Sequence, residues 1–152
     1  MTDCTFCGIA AGAYDALTQA SDVVWRDAHT TAFVGAKWWV HNPGHVIVIP
    51  NAHARDLYDI REDDLGAVYA TVKRVALALK QATQCNGIST RQHNEDAGNQ
   101  DVWHFHVHVF PRWRRDELYE HHTETRWTTA EERAPYAEAL RRCLTPEVSD
   151  PT

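Results

Sequence analysis

The run His104-Phe105-His106-Val107-His108-Val109-Phe110 alternates histidine with apolar side chains until Pro111-Arg112 closes it. A period of two is that of a half-buried strand, which puts His104, His106, His108 and Phe110 on one face. Phe105, Val107 and Val109 then enter a core on the other. Histidine is costly core filler, but it is the side chain best suited to proton transfer, nucleophilic attack or metal binding near neutral pH. The strand is therefore read as the working surface of the protein.

Other segments supply a sheet for it to join. His45-Val46-Ile47-Val48-Ile49-Pro50 is an unbroken β-branched run that suits a central strand buried on both faces, and the turn His41-Asn42-Pro43-Gly44 leads into it. Val23-Val24-Trp25 and Thr31-Ala32-Phe33-Val34 read as short strands joined at Asp27-Ala28, and Trp38-Trp39-Val40 and Ile88 to Gln92 as two more. Between Asp63 and Cys85 the period becomes helical, with Leu65, Val68, Tyr69, Val72, Val75, Ala76 and Leu79 on one apolar stripe. Glu62, Asp63 and Asp64 favour its N-terminus, and Asn86-Gly87 is a stop signal. Gly8 to Ala20 reads as a short helix and loop, and His93 to Asp101 as a polar loop. Thr128 and Glu131 form a candidate capping box, and Pro135 is expected to kink or split the last helix before Tyr136 to Leu144. The pattern predicts an α+β fold with a mainly antiparallel sheet, in one domain over 1–144 with a frayed tail over 145–152.

Bulk properties narrow the partners. With 152 residues the chain can bury one real core, and a net charge of −6 argues against a nucleic-acid groove or an anionic membrane surface. No transmembrane stretch or signal peptide is visible, so the expected location is the cytoplasm. Of the four cysteines, Cys85 and Cys143 stand alone and read as small buried hydrophobes, whereas Cys4-Thr5-Phe6-Cys7 reads as half a zinc site.

Taken together these residues resemble the histidine-triad (HIT) superfamily of nucleotidyl hydrolases and transferases. The likeness rests on Cys4-x-x-Cys7 with Gly8-Ile9, on Thr31-Ala32-Phe33, and on Pro43-Gly44-His45 through Pro50 with His53 after it. It continues through the long helix and the loop Gly98-Asn99-Gln100 to the triad ending in Pro111-Arg112. The resemblance implies a five-stranded sheet with a long and a C-terminal helix, continued across a homodimer. It also implies that His106 attacks the α-phosphorus of a nucleotide ester, anhydride or phosphoramidate, forming a nucleotidyl-histidine that water then hydrolyses. His108 and His45 would stabilise the phosphoryl oxygens, while Gln100 and the Gly98 loop complete the cradle and either His93 or Asn94 contacts phosphate. No organic cofactor is implied. In bacterial members resembling this chain, zinc is held by the residues matching Cys4, Cys7, His53 and His104, a closed structural set.

Two positions depart from the family pattern. Asp101 stands where Ser or Thr usually follows the loop Gln; ionised it would repel a polyphosphate, and protonated it could serve the leaving group as a general acid. Val34-Gly35-Ala36-Lys37 replaces the acidic ribose-binding residue, and Lys37, Trp38 or Trp39 can reshape the pocket. Arg112, Arg114 and Arg115 form a basic cluster that is either solvated or attracts phosphate. Two further functions stay open: a zinc hydrolase using His106, His108 and His45 as ligands, and a nucleotide-binding regulator without turnover.

Overall fold

The computed structural model describes residues 3–144; the tail expected over 145–152 lies outside them. In chain order come α1 (Thr5–Ala10), a 3-10 turn (Ala20–Asp22), β1 (Val23–Arg26), β2 (Thr30–Val34), β3 (Lys37–Trp39) and β4 (Val46–Pro50). Then follow α2 (Glu62–Thr83), β5 (Gly87–Arg91), β6 (Val107–Arg112), β7 (Thr125–Trp127) and α3 (Ala130–Leu144). Five strands form one sheet in the order β1-β2-β4-β6-β5, with every pairing antiparallel. The fold is α+β, as the sequence pattern predicts.

β4 is the centre of that sheet and is buried throughout. Its Val46 and Val48 join Val107, Val109 and Phe105 in a core against α2 and α3, while Ile47 and Ile49 face Phe6, Ile9 and Phe33 beneath α1. Burial on both faces explains why its sequence is apolar without alternation. Ile47 pairs with His108 across the ladder, so the histidines of the triad lie on the α1 side.

Several local expectations need correction. The ladder of β6 begins only at Val107, because the Phe105 amide turns away to donate to the Ala54 carbonyl at 2.7 Å. Tyr69 is 43 % exposed and leaves the α2 stripe. That helix ends at Gln84, which takes the left-handed conformation at φ 56°, so Gly87 is free to start β5. The capping pair is Thr129 and Glu132, each side chain accepting from the other's backbone N–H at 3.2 and 2.8 Å. Thr128 instead donates its hydroxyl to the Ala36 carbonyl at 2.7 Å. α3 runs through Pro135 unsplit. Proline removes one amide near the first turns, where exposed Glu131 leaves its carbonyl open to solvent, and buried Ala137, Leu140 and Leu144 hold the rest. Cys85 is buried, but Cys143 is only half-buried. No described helix is long and apolar enough to cross a membrane.

β3 pairs with β7 in a separate two-stranded sheet that the sequence pattern did not suggest. It forms one wall of the site described next.

Candidate functional site

The end of β4, the start of α1 and the approach to β6 bring Cys4, Cys7, His53 and His104 together, with all four donor atoms within 4.8 Å of one another. The sulfur of Cys7 lies 3.2 Å from Nδ1 of His53 and 3.5 Å from Nδ1 of His104; Cys4 Sγ is 3.4 Å from His104 Nδ1, and the two imidazole nitrogens are 3.3 Å apart. Tetrahedral zinc with bonds of about 2.0–2.3 Å separates neighbouring donors by about 3.3–3.8 Å, so the donor set and its spacing fit the ion. His104 Nε2 donates to the Pro50 carbonyl at 2.8 Å, which leaves Nδ1 as the lone-pair nitrogen facing the sulfurs. Burial pushes its pKa down to about 4, so the ring is a neutral ligand at pH 7.

On the same face a cavity of about 220 Å³ opens over His45, Asp101, His106 and His108. Phe6, Phe33 and Ile47 form its apolar floor, and Lys37, Trp39 and Trp127 of the β3–β7 sheet form a wall. Asp15, Leu17 and Thr18 complete the rim. The tryptophan pair is divided by strand alternation: Trp38 is buried against Tyr136, with its indole N–H on the Gly35 carbonyl at 2.8 Å, while Trp39 faces the cavity.

His106 is 3 % exposed and held by its neighbours. Its Nδ1 donates to the His104 carbonyl at 2.7 Å, and Phe6 packs edge-on at 5.2 Å. In the neutral ring, Nε2 then carries the lone pair. Asp101 Oδ1 lies 3.4 Å from that nitrogen. Contact with His106 holds the Asp101 carboxyl down to about 2 against the opposing effect of burial, so the carboxylate is ionised at neutral pH.

His45 and His108 are kept uncharged mainly by burial: the pKa of His45 is pushed down to about 3, with the Arg91 charge as a second cause, and that of His108 well below the usual imidazole value. Nδ1 of each ring is buried without a hydrogen-bond partner. His45 stacks on Phe110 at 5.0 Å and meets Trp39 edge-on at 5.3 Å. A side chain at Gly35 would put its Cβ 2.5 Å from His45 Cε1 and Nε2, so glycine there makes room for the ring.

The loop from His93 to Asp101 contributes less directly. Only Asp101 of its expected substrate contacts lines the cavity. Gln100 spends its side chain on backbone groups, accepting from the Glu95 amide at 2.8 Å and donating to the Arg55 and Val102 carbonyls at 2.6 and 3.0 Å. Asn94 is likewise engaged by Gln92 and the Leu57 amide. Gly98 is required where the chain folds against the Asn94 carbonyl, which a Cβ would overlap. His93 sits with its ring 6.4 Å from that of His108.

Arg112 is partly buried and committed to Asp116, which binds it through two hydrogen bonds of 2.8 Å. Sequence reasoning missed Arg91, whose guanidinium sits over Phe110 at 4.8 Å behind His45, and Trp127. Alternation in Thr125-Arg126-Trp127 was the one signal for the latter.

This fold and site define a histidine-triad protein. The family model described as the HIT domain matches residues 17–115, and the chain belongs to that family. Among its relatives, the protein hit of Bacillus subtilis is 28 % identical over 76 % of this chain and 74 % of its own length. A HIT-like protein of Mycoplasma pneumoniae is 32 % identical over 73 % and 72 %. Solved structures agree. A HIT-like protein of Bartonella henselae superposes with a TM-score of 0.77 at 28 % identity, covering 93 % of this chain and 97 % of that one. A zinc-bound histidine-triad protein of Mycobacterium smegmatis gives 0.75 at 25 % identity, covering 93 % of each.

Proposed function

We propose that this protein is a nucleotidyl hydrolase or transferase whose His106 carries the nucleotidyl group as a covalent intermediate. The observation that supports this best is the orientation of His106: with Nδ1–H bound to a backbone carbonyl, the nucleophilic lone pair of the neutral ring is on Nε2 at the cavity. Nε2 attacks the α-phosphorus, the bond from phosphorus to the leaving oxygen or nitrogen breaks, and the leaving group departs with that electron pair and takes up a proton from solvent water. Water then attacks the same phosphorus, the phosphorus–Nε2 bond breaks with its electron pair returning to Nε2 to restore the neutral ring, and the water's surplus proton passes to solvent. His45 and His108, neutral and short of one partner each, are suited to donate to phosphoryl oxygens as charge builds there. Trp39, Trp127 and Leu17 offer an apolar wall for the nucleoside.

Cys4, Cys7, His53 and His104 would hold a structural zinc, which supplies a cross-link between α1 and the segment leading into β6. The homodimer that family resemblance implies would use β5, an edge strand paired only with β6; sedimentation of the purified protein tests that.

Activity is tested by following nucleoside monophosphate release from adenosine and guanosine phosphoramidates, aminoacyl-adenylate analogues and dinucleoside polyphosphates. Turnover that His106→Ala abolishes supports the proposal. Ligand binding with no turnover of any donor favours the regulatory reading instead.

A further inference from the structure

We propose that Asp101, His106 and His108 form a second metal site, selective for a divalent transition ion such as zinc, and that an ion there switches nucleotidyl transfer off. The site's existence stands on geometry alone; its consequence rests on the reading of His106 as the nucleophile.

The three side chains each present one donor atom, and those atoms lie within 4.8 Å of one another, the same criterion that the Cys4–Cys7–His53–His104 set meets. The separation between His106 Nε2 and Asp101 Oδ1 is 3.4 Å. A charge-assisted nitrogen–oxygen hydrogen bond closes to about 2.7–2.9 Å. Two such donors sharing a tetrahedral ion, with bonds of about 2.0–2.1 Å, stand about 3.3 Å apart. The spacing in this pair matches that of the first cluster, 3.2 to 3.5 Å, where the donor chemistry is plainly that of a metal site.

Hydrogen bonding supports the same conclusion. His106 Nδ1 already donates to the His104 carbonyl at 2.7 Å, so Nε2 is the ring atom that faces the carboxylate. An ion between the two groups would take Nε2 and a carboxylate oxygen as two of its ligands at this spacing. A backbone carbonyl on the far nitrogen is the usual outer support of a metal-binding imidazole. The rings of His106 and His108 are 5.0 Å apart on one strand face, and the ring of His108 has no protein partner at Nδ1. His45, the third ligand of the zinc hydrolase considered from sequence, is not part of this donor group.

Two imidazoles and one carboxylate favour zinc and its transition-metal neighbours over magnesium or calcium, and three protein donors leave a position for water from the cavity. The site has no thiolate, so it binds more weakly than the cysteine site and exchanges first. An ion on Nε2 uses the lone pair that must attack phosphorus. Loading it therefore removes the nucleophile without disturbing the fold.

Cobalt(II) titration of protein whose cysteine site is already filled with zinc tests the site without reference to turnover. The expected result is one further equivalent, with nitrogen–oxygen d–d absorption and no thiolate-to-metal band. Asp101→Ala and Asp101→Asn should each weaken it by more than about tenfold, since even the loss of an outer-shell partner can cost that much. Turnover of wild type should fall in step with occupancy and return when a chelator removes the second ion alone. Absence of a second equivalent, or unchanged affinity in both variants, overturns the site. Occupancy that raises turnover overturns the switch. A protein that binds the second ion but processes no nucleotide refutes the proposed function and leaves the site standing.

Discussion

Arg133→Met should be among the most damaging substitutions outside the catalytic face. Arg133 is 1 % exposed, the largest of the fully buried side chains described, and it binds Asp22 through Nε at 2.8 Å and Nη2 at 2.9 Å. It also donates to the carbonyls of Thr128 at 2.7 Å and Leu17 at 2.8 Å. Methionine fills much of the volume but strands the Asp22 carboxylate at zero exposure, with the Gln19 amide as its one remaining partner shown. Breaking a buried pair by removing one partner costs about 3–5 kcal/mol, a large share of the about 5–15 kcal/mol that holds a domain together. At about 2–4 °C per kcal/mol for a chain of this size, Tm should fall by about 6–20 °C. The double variant Arg133→Met/Asp22→Leu should recover part of that loss, because no lone charge is left inside. The same guanidinium ties Leu17 to the segment before α3, and Leu17, Thr18 and Trp127 rim the cavity. KM should therefore rise more than kcat falls. Calorimetry of wild type, both single variants and the double variant at pH 7 decides the matter. A cost below about 1 kcal/mol for Arg133→Met, or a double variant weaker than the sum of the singles, would refute this account of the pair.

Other changes probe the site more directly. Gly35→Ala forces a methyl against the His45 ring, which Phe110 and Trp39 hold in place, so kcat should drop and stability should fall by about 1–3 kcal/mol; retention of both would show that His45 can move freely. The Asp116 carboxyl is held well below the usual range, chiefly by Arg112, with Asn42 and the amides of Trp113 and Leu118 adding to it against burial. Its stabilising contribution is complete above the unfolded value of about 3.9 and is lost as pH falls toward the folded one. The Tm gap between wild type and Asp116→Asn should thus be flat above about pH 5 and shrink below about pH 4; a gap independent of pH contradicts this. Asp101→Ser removes a solvent-screened negative charge worth about 1 kcal/mol against a nearby phosphate. It should raise kcat/KM for dinucleoside polyphosphates about fivefold relative to phosphoramidates, and an unchanged ratio would show that Asp101 does not select the leaving group.

What could be read from the sequence was what local periodicity encodes. The alternating histidine run, the apolar stretch of β4 and the α2 stripe each carry their own period, and each led to the correct face or layer. The cysteine pair was legible because metal donors are few in kind and closely spaced. Contacts distant in the chain were not legible. β3 pairs with β7 through short strands whose alternation has no turn to link them, and the Asp22–Arg133 pair spans 111 positions. The Thr128 and Thr129 roles could not be separated by pattern, since either hydroxyl precedes a glutamate by three; Ala36, far away in sequence, takes Thr128. Gln100 and Asn94 are polar loop residues of the kind that contact phosphate, yet the loop needs their hydrogen bonds to hold its own backbone.

The central claim is the covalent nucleotidyl-His106 intermediate, and intact-protein mass spectrometry after a brief single turnover, quenched without acid, tests it most directly. The account predicts a mass increase of one nucleotidyl group on wild type, with the donor giving the largest signal identifying the base, and no increase on His106→Ala. An adduct of equal size on His106→Ala, or full turnover of a donor by that variant, would contradict it.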